Sequence, residues 1–93
     1  MTVGDEIDVH LGRRLRRRRR LLGLTQEQIA CVCGVRFQQI QKYECGANRM
    51  SAARLWRLAQ ALDVPVAYFF DGLPPTRRSL SQPEAGAARS DAA

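Results

Sequence analysis

The 93 residues suffice for one compact domain with a single core, and with 45% of them apolar the chain is composed to fold. The formal charge of +6 comes from 15 basic residues, all arginine but Lys42, and such a surface suits a polyanion whose phosphate oxygens match guanidinium forks. No apolar run approaches the roughly 20 residues of a spanning helix, no signal peptide opens the chain, and an odd count of three cysteines argues against a disulfide framework. The expectation is a soluble, cytoplasmic protein.

Residues 1–7 are short and acidic and read as a flexible N-terminal tail, ahead of a folded domain over 8–72. From about Asp8 to Leu22 the residues Leu11, Leu15 and Leu22 form an apolar stripe among arginines, which predicts a first helix ended by Gly23. Thr25 and Gln28 form a Thr-x-x-Gln capping box that opens a second helix running to about Cys33, before Gly34. A third covers about Phe37 to Cys45 and stops at Gly46. Ser51 caps a fourth, whose Leu55, Leu58, Ala59 and Leu62 recur at i, i+3, i+4 and i+7. Pro65 starts a short fifth with Val66, Phe69 and Phe70, stopped by Asp71 and Gly72. Residues 73–93 are small, polar and Pro-bearing, and read as a disordered C-terminal tail. No segment alternates with period two, so the predicted class is all-α with five helices.

The informative stretch is residues 26–45. Two helices that cross steeply through a short turn need a small residue where they approach, a Gly able to take positive φ at the turn, and an apolar anchor on the second helix. Ala30, Gly34 and Ile40 supply these at offsets of four and six, and Ile29, Cys33, Val35 and Tyr43 complete the inward face. Gln38, Gln41 and Lys42 are then left facing outward. Glutamine amides pair bidentately with adenine, and a lysine reaches guanine or phosphate. A plain helical hairpin with a solvated polar face fits the same offsets.

With GLTQEQIA (23–30), GVRFQQIQKYECGANRMS (34–51) and LAQALDVPVAYFFDG (58–72) in order, the chain resembles the lambda-repressor/Cro-like, or XRE, helix-turn-helix family over about residues 11–72. The resemblance implies a five-helix domain whose third helix enters the major groove of double-stranded DNA, usually as a two-fold homodimer on a pseudo-palindromic operator. It implies that Gln26, at the start of the second helix, reaches a phosphate and braces the first reading residue. Phe37 and Gln38 fall on the first positions of the recognition helix, with Gln41 and Lys42 one turn on, and Asn48 and Arg49 lie in a loop that grips the backbone. Arg19 and Glu44 match a pair that in several phage repressors forms a partly buried salt bridge between the first and third helices.

The chain departs from that pattern in three places. Arg36 stands where Ser or Thr commonly caps the third helix, so a phosphate contact replaces the cap. Phe37 replaces a glutamine and is either a contact to thymine methyls or a packing residue. Met50 replaces a common Pro. The run Arg16 to Arg20 reads as a solvated face with one structural arginine, against a free-standing RNA-binding or nuclear-localisation segment. Cys31, Cys33 and Cys45, with His10 the only histidine, read as small apolar filling rather than a metal or redox site, and Trp56 and Tyr68 as packing or dimer surface rather than a ligand pocket. No catalytic constellation or cofactor cradle stands out, so the expectation is a regulator, a repressor rather than an enzyme. A second reading is an antitoxin-like module that binds a partner protein through its C-terminal tail.

Overall fold

The computed structural model describes residues 5–74, and among them the elements are helical throughout. Expectations for residues 1–4 and 75–93, including a protein partner for the tail, lie outside the described residues.

Helix α1 spans Glu6–Leu21 and begins two residues before Asp8, because Asp5 caps it: one carboxylate oxygen accepts the N–H groups of Ile7 and Asp8, each at 3.0 Å. Asp5, Glu6 and Ile7, expected in the tail, thus open the domain. Glu6 and Asp8 sit at the positive end of the helix dipole and Arg18, Arg19 and Arg20 at the negative end. Leu22, expected on the apolar stripe, is instead the residue after the last turn and is exposed.

Helix α2 spans Gln26–Cys33 behind a complete capping box: Gln28 N–H donates to Thr25 Oγ1 at 3.0 Å, and Thr25 N–H to Gln28 Oε1 at 2.8 Å. Gly34, at φ +70°, makes the left-handed turn that sends the chain into α3, Phe37–Glu44. Helix α4, Ala52–Leu62, starts where Ser51 Oγ accepts Arg54 N–H at 3.0 Å. The expected fifth helix is a 3-10 turn, Val66–Phe70, held by Tyr68 N–H on the Pro65 carbonyl at 2.9 Å. The five residues Val66–Phe70, between Pro65 and the turn at Asp71 and Gly72, are too few to complete an α-helical ladder.

These pieces enclose one core. Leu11 and Leu15 of α1, Ile29 and Ala30 of α2, Ile40 and Tyr43 of α3, and Leu55, Leu58, Ala59 and Leu62 of α4 converge on Phe69, which is fully buried. Phe70, the next residue, is exposed. Helix α1 crosses α3 at Gly12, where a Cβ would stand 2.8 Å from the Glu44 carbonyl oxygen and closer still to that of Tyr43. A backbone carbonyl cannot swing aside as a side-chain tip can, so the crossing requires glycine.

Gly12→Ala therefore separates α1 from α3. Helix propensity alone favours the change by about 1 kcal/mol, but the clash costs about 1–3 kcal/mol or more. Denaturant unfolding is expected to show net destabilisation, and a more stable variant would mean that the two helices do not meet so closely.

Candidate nucleic-acid interface

Helix α3 turns Ile40 and Tyr43 into the core, and the 100° step per residue leaves Gln38, Gln41 and Lys42 exposed on the opposite side. Among the described residues, none of these three side chains has a hydrogen bond or ion pair. Arg36, Gln38, Gln39, Lys42 and Asn48 line one shallow cleft, so the start of α3 and the loop after it share a surface. The loop is shaped by the Lys42 carbonyl, which accepts the N–H groups of Ala47 at 2.9 Å and Asn48 at 3.3 Å. Gly46, at φ +79°, lets it pass against Val9 of α1, where a Cβ would meet Val9 Cα at 3.0 Å.

The remaining site residues, Arg36 excepted, are engaged within the fold. Phe37 is half-buried and packs against the core. The Arg19 guanidinium clasps Glu44 through Nε to Oε2 at 2.6 Å and Nη2 to Oε1 at 3.0 Å, with side chains only 11% and 4% exposed. Its Nη1 donates to the Leu24 carbonyl at 2.8 Å. Gln26 Nε2 donates to Glu44 Oε1 at 3.0 Å, so that amide joins the start of α2 to the end of α3. Arg49 projects into solvent but is held by Asp5 and Asp8 of α1, with Nη2 to Asp5 Oδ2 at 3.1 Å and Nε to Asp8 Oδ2 at 3.2 Å. Arg36 occupies the N-cap position of α3 and makes no side-chain cap.

The arginine run holds two structural arginines, not one. Besides Arg19, Arg18 donates through Nε to the Leu62 carbonyl at 2.9 Å, at the end of α4, while Arg16, Arg17 and Arg20 are exposed. Just before the run, Arg14 donates to the Tyr68 carbonyl at 2.9 Å, lies 3.9 Å from the Tyr68 ring centroid, and accepts the Tyr68 hydroxyl on its own carbonyl at 3.1 Å. Trp56 is 55% exposed and does not fill the core. Of the cysteines only Cys33 packs against the core; Cys31 and Cys45 are exposed, so apolar filling describes one of three. Burial pushes the Cys33 thiol pKa up, against the opposing pull of Arg54 and Arg57. No group of three or more His, Cys, Asp or Glu positioned for a metal occurs among the described residues.

Sequence reasoning missed the acidic clamp on Arg49 and the needs of Gly12. Both left signals: Asp8 continues the Leu11–Leu15 stripe, and a glycine inside a helix otherwise rich in good helix formers is a cost that asks for a packing reason.

The helix-turn-helix family profile matches residues 15–69, more than half of the chain. The chain belongs to the XRE-type helix-turn-helix family. That family is one of DNA-binding transcriptional regulators, not an enzyme class. An uncharacterised HTH-type transcriptional regulator of Sinorhizobium medicae (strain WSM419) is 52% identical over 70 residues, covering 75% of this chain and 50% of that one. An uncharacterised transcriptional regulator in the ATPase CF(0) region of Rhodospirillum rubrum is 50% identical, covering 89% and 85% respectively. The chain thus spans about half the length of the first of these relatives and most of the second. Among solved structures, the restriction-modification controller protein C.AhdI from Aeromonas hydrophila superposes with a TM-score of 0.66 at 33% identity, over 68% of this chain and 96% of that one.

The uncapped start of α3 gives a direct check on local structure. Arg36→Ser restores an acceptor for the orphan N–H groups and is expected to raise stability by about 1 kcal/mol in thermal unfolding. No gain would mean that the N–H groups at the start of α3 already have partners.

Proposed function

We propose that this chain binds double-stranded DNA in a sequence-specific manner, presenting α3 to the major groove, and represses transcription by occupying an operator as a two-fold dimer. The observation that carries the reading is the cleft at the start of α3. It gathers three amides, a guanidinium and an ammonium on one surface, with Gln38 and Lys42 free of intramolecular partners among the described residues. Side chains able to read base edges and side chains able to neutralise phosphates are adjacent, which is how a duplex is both positioned and read.

In this reading Gln38 and Gln41 contact bases with Lys42 beside them, while Gln26, Arg36, Asn48 and Arg49 face the sugar-phosphate backbone. Phe37, with part of its ring against the core, offers only its remaining edge to a thymine methyl. Trp56 of α4 and Phe70 of the 3-10 turn, both exposed, belong to the dimer surface, which accounts for large aromatic area left facing water. The site of action is the cytoplasm, where the chromosome lies; no helix among the described residues is long and apolar enough to cross a membrane.

Selection from a random duplex pool followed by anisotropy titration tests this reading. Affinity for the selected site is expected to fall on the order of 10³-fold between about 50 and 200 mM salt, since several phosphates per subunit release counterions. Gln38→Ala is expected to lose about 1–3 kcal/mol of discrimination at one base pair per half-site. Footprints should show two half-sites with centres about 34–36 Å apart. Salt-insensitive binding, a preference for single strands, or an unchanged motif in the Gln38 variant would contradict it.

A further inference from the structure

Arg49 is the one charged residue in the loop between α3 and α4, and it follows Asn48 on the rim of the candidate interface. Its guanidinium is held by two carboxylates from the first turn of α1. Asp8 takes Nε at 3.2 and 3.4 Å, and Asp5 takes Nη2 at 3.1 Å. The Asp8 side chain is only 8% exposed, whereas those of Asp5 and Arg49 are 55% and 72% exposed. Asp5 divides its oxygens: Oδ1 caps α1 and Oδ2 binds Arg49. Two carboxylates around one guanidinium leave a local charge of −1 beside a surface otherwise supplied with Arg36 and Lys42.

We propose that Asp5 and Asp8 form an acidic clamp that competes with backbone phosphate for Arg49 and so limits sequence-independent affinity. Buried Asp8 fixes the position of the guanidinium, and exposed Asp5 is the partner a phosphate oxygen displaces when a duplex arrives. Because the competition concerns backbone charge, it lowers affinity for every sequence alike and leaves the base contacts to decide between sites. The inference rests on the proposed binding of duplex DNA through α3 and its following loop.

The two jobs of Asp5 can be separated by one substitution. In Asp5→Asn the side-chain oxygen still caps α1, since Asn caps as well as Asp, while the second oxygen becomes an amide that cannot pair with Arg49. Asp5→Ser is a second neutral cap that guards against a fault peculiar to Asn. The full chain and both variants are titrated against the selected duplex and an unrelated duplex over a range of salt, with thermal unfolding to verify the fold. Both variants are expected to bind both duplexes about three- to fivefold more tightly at each salt concentration, with the ratio between the two duplexes unchanged. Unchanged or weaker binding by the folded variants overturns the clamp and makes the pairs simple loop anchors. If the unsubstituted chain binds no duplex, the proposed function itself falls and the clamp with it; if it binds and the variants bind no tighter, only the clamp falls.

Discussion

The guanidinium of Arg19 reaches three parts of the chain at once: its own helix carries it, the Leu24 carbonyl before α2 accepts one N–H, and Glu44 at the end of α3 accepts two more. Gln26 at the start of α2 closes the circuit on the same Glu44 carboxylate. Helices of only eight residues, as α2 and α3 are, hold no fixed angle by themselves. Their outer faces are useful only if that angle is fixed. Packing of Ile29, Ala30 and Ile40 supplies the adhesion, but apolar contacts are non-directional, and a forked pair with defined donor geometry fixes orientation more tightly. A buried pair of this kind adds little net stability compared with apolar side chains of equal volume, whereas losing one partner leaves the other charge stranded at about 3–5 kcal/mol.

The same chemistry recurs through the molecule. Arg14 binds the carbonyl of Tyr68 in the 3-10 turn, Arg18 that of Leu62 at the end of α4, and Arg54 reaches that of Cys33 at the end of α2 at 3.4 Å. Helix ends present carbonyls without intrahelical partners and carry the negative end of the dipole, so a planar, permanently charged donor fork suits them better than a flexible ammonium. A small all-α domain with short helices has many such ends for its size. Its arginine content therefore has two sources: part fastens helix ends to one another, and part, at Arg13, Arg16, Arg17, Arg20 and Arg36, stands exposed and contributes to the positive field around the proposed interface.

Where sequence and structure agree, the cause is local. The capping box at Thr25, the glycine turn at Gly34, the Ser51 cap and the leucine period of α4 depend on residues a few positions apart, and each is legible as a pattern. The split of α3 into a buried side at Ile40 and Tyr43 and an open side at Gln38, Gln41 and Lys42 follows from helical periodicity in the same way. What escaped depends on distant partners. Nothing in the Arg16–Arg20 run distinguishes Arg18, which finds α4, from Arg17, which finds water. Asp5 looked like the end of an acidic tail, and Asp8 like an ordinary first-turn residue, because their partner, Arg49, lies more than forty residues along the chain. Pro65 signalled a helix start, yet the five residues before the turn at Asp71 and Gly72 complete only a 3-10 turn.

The central claim is that the Arg19–Glu44 pair sets the angle at which α3 meets DNA in the proposed complex, although neither residue lies on the exposed face of α3. A double-mutant cycle with Arg19→Met and Glu44→Gln, read both as unfolding free energy and as affinity for the selected duplex, tests it most directly. The account predicts that each single variant weakens binding as well as stability, and that the double variant loses clearly less than the sum of the two, with a coupling of about 1–3 kcal/mol in both readouts. Coupling near zero in DNA affinity, with binding intact in each single variant that still folds, would contradict it and make the pair one more fastening between helices.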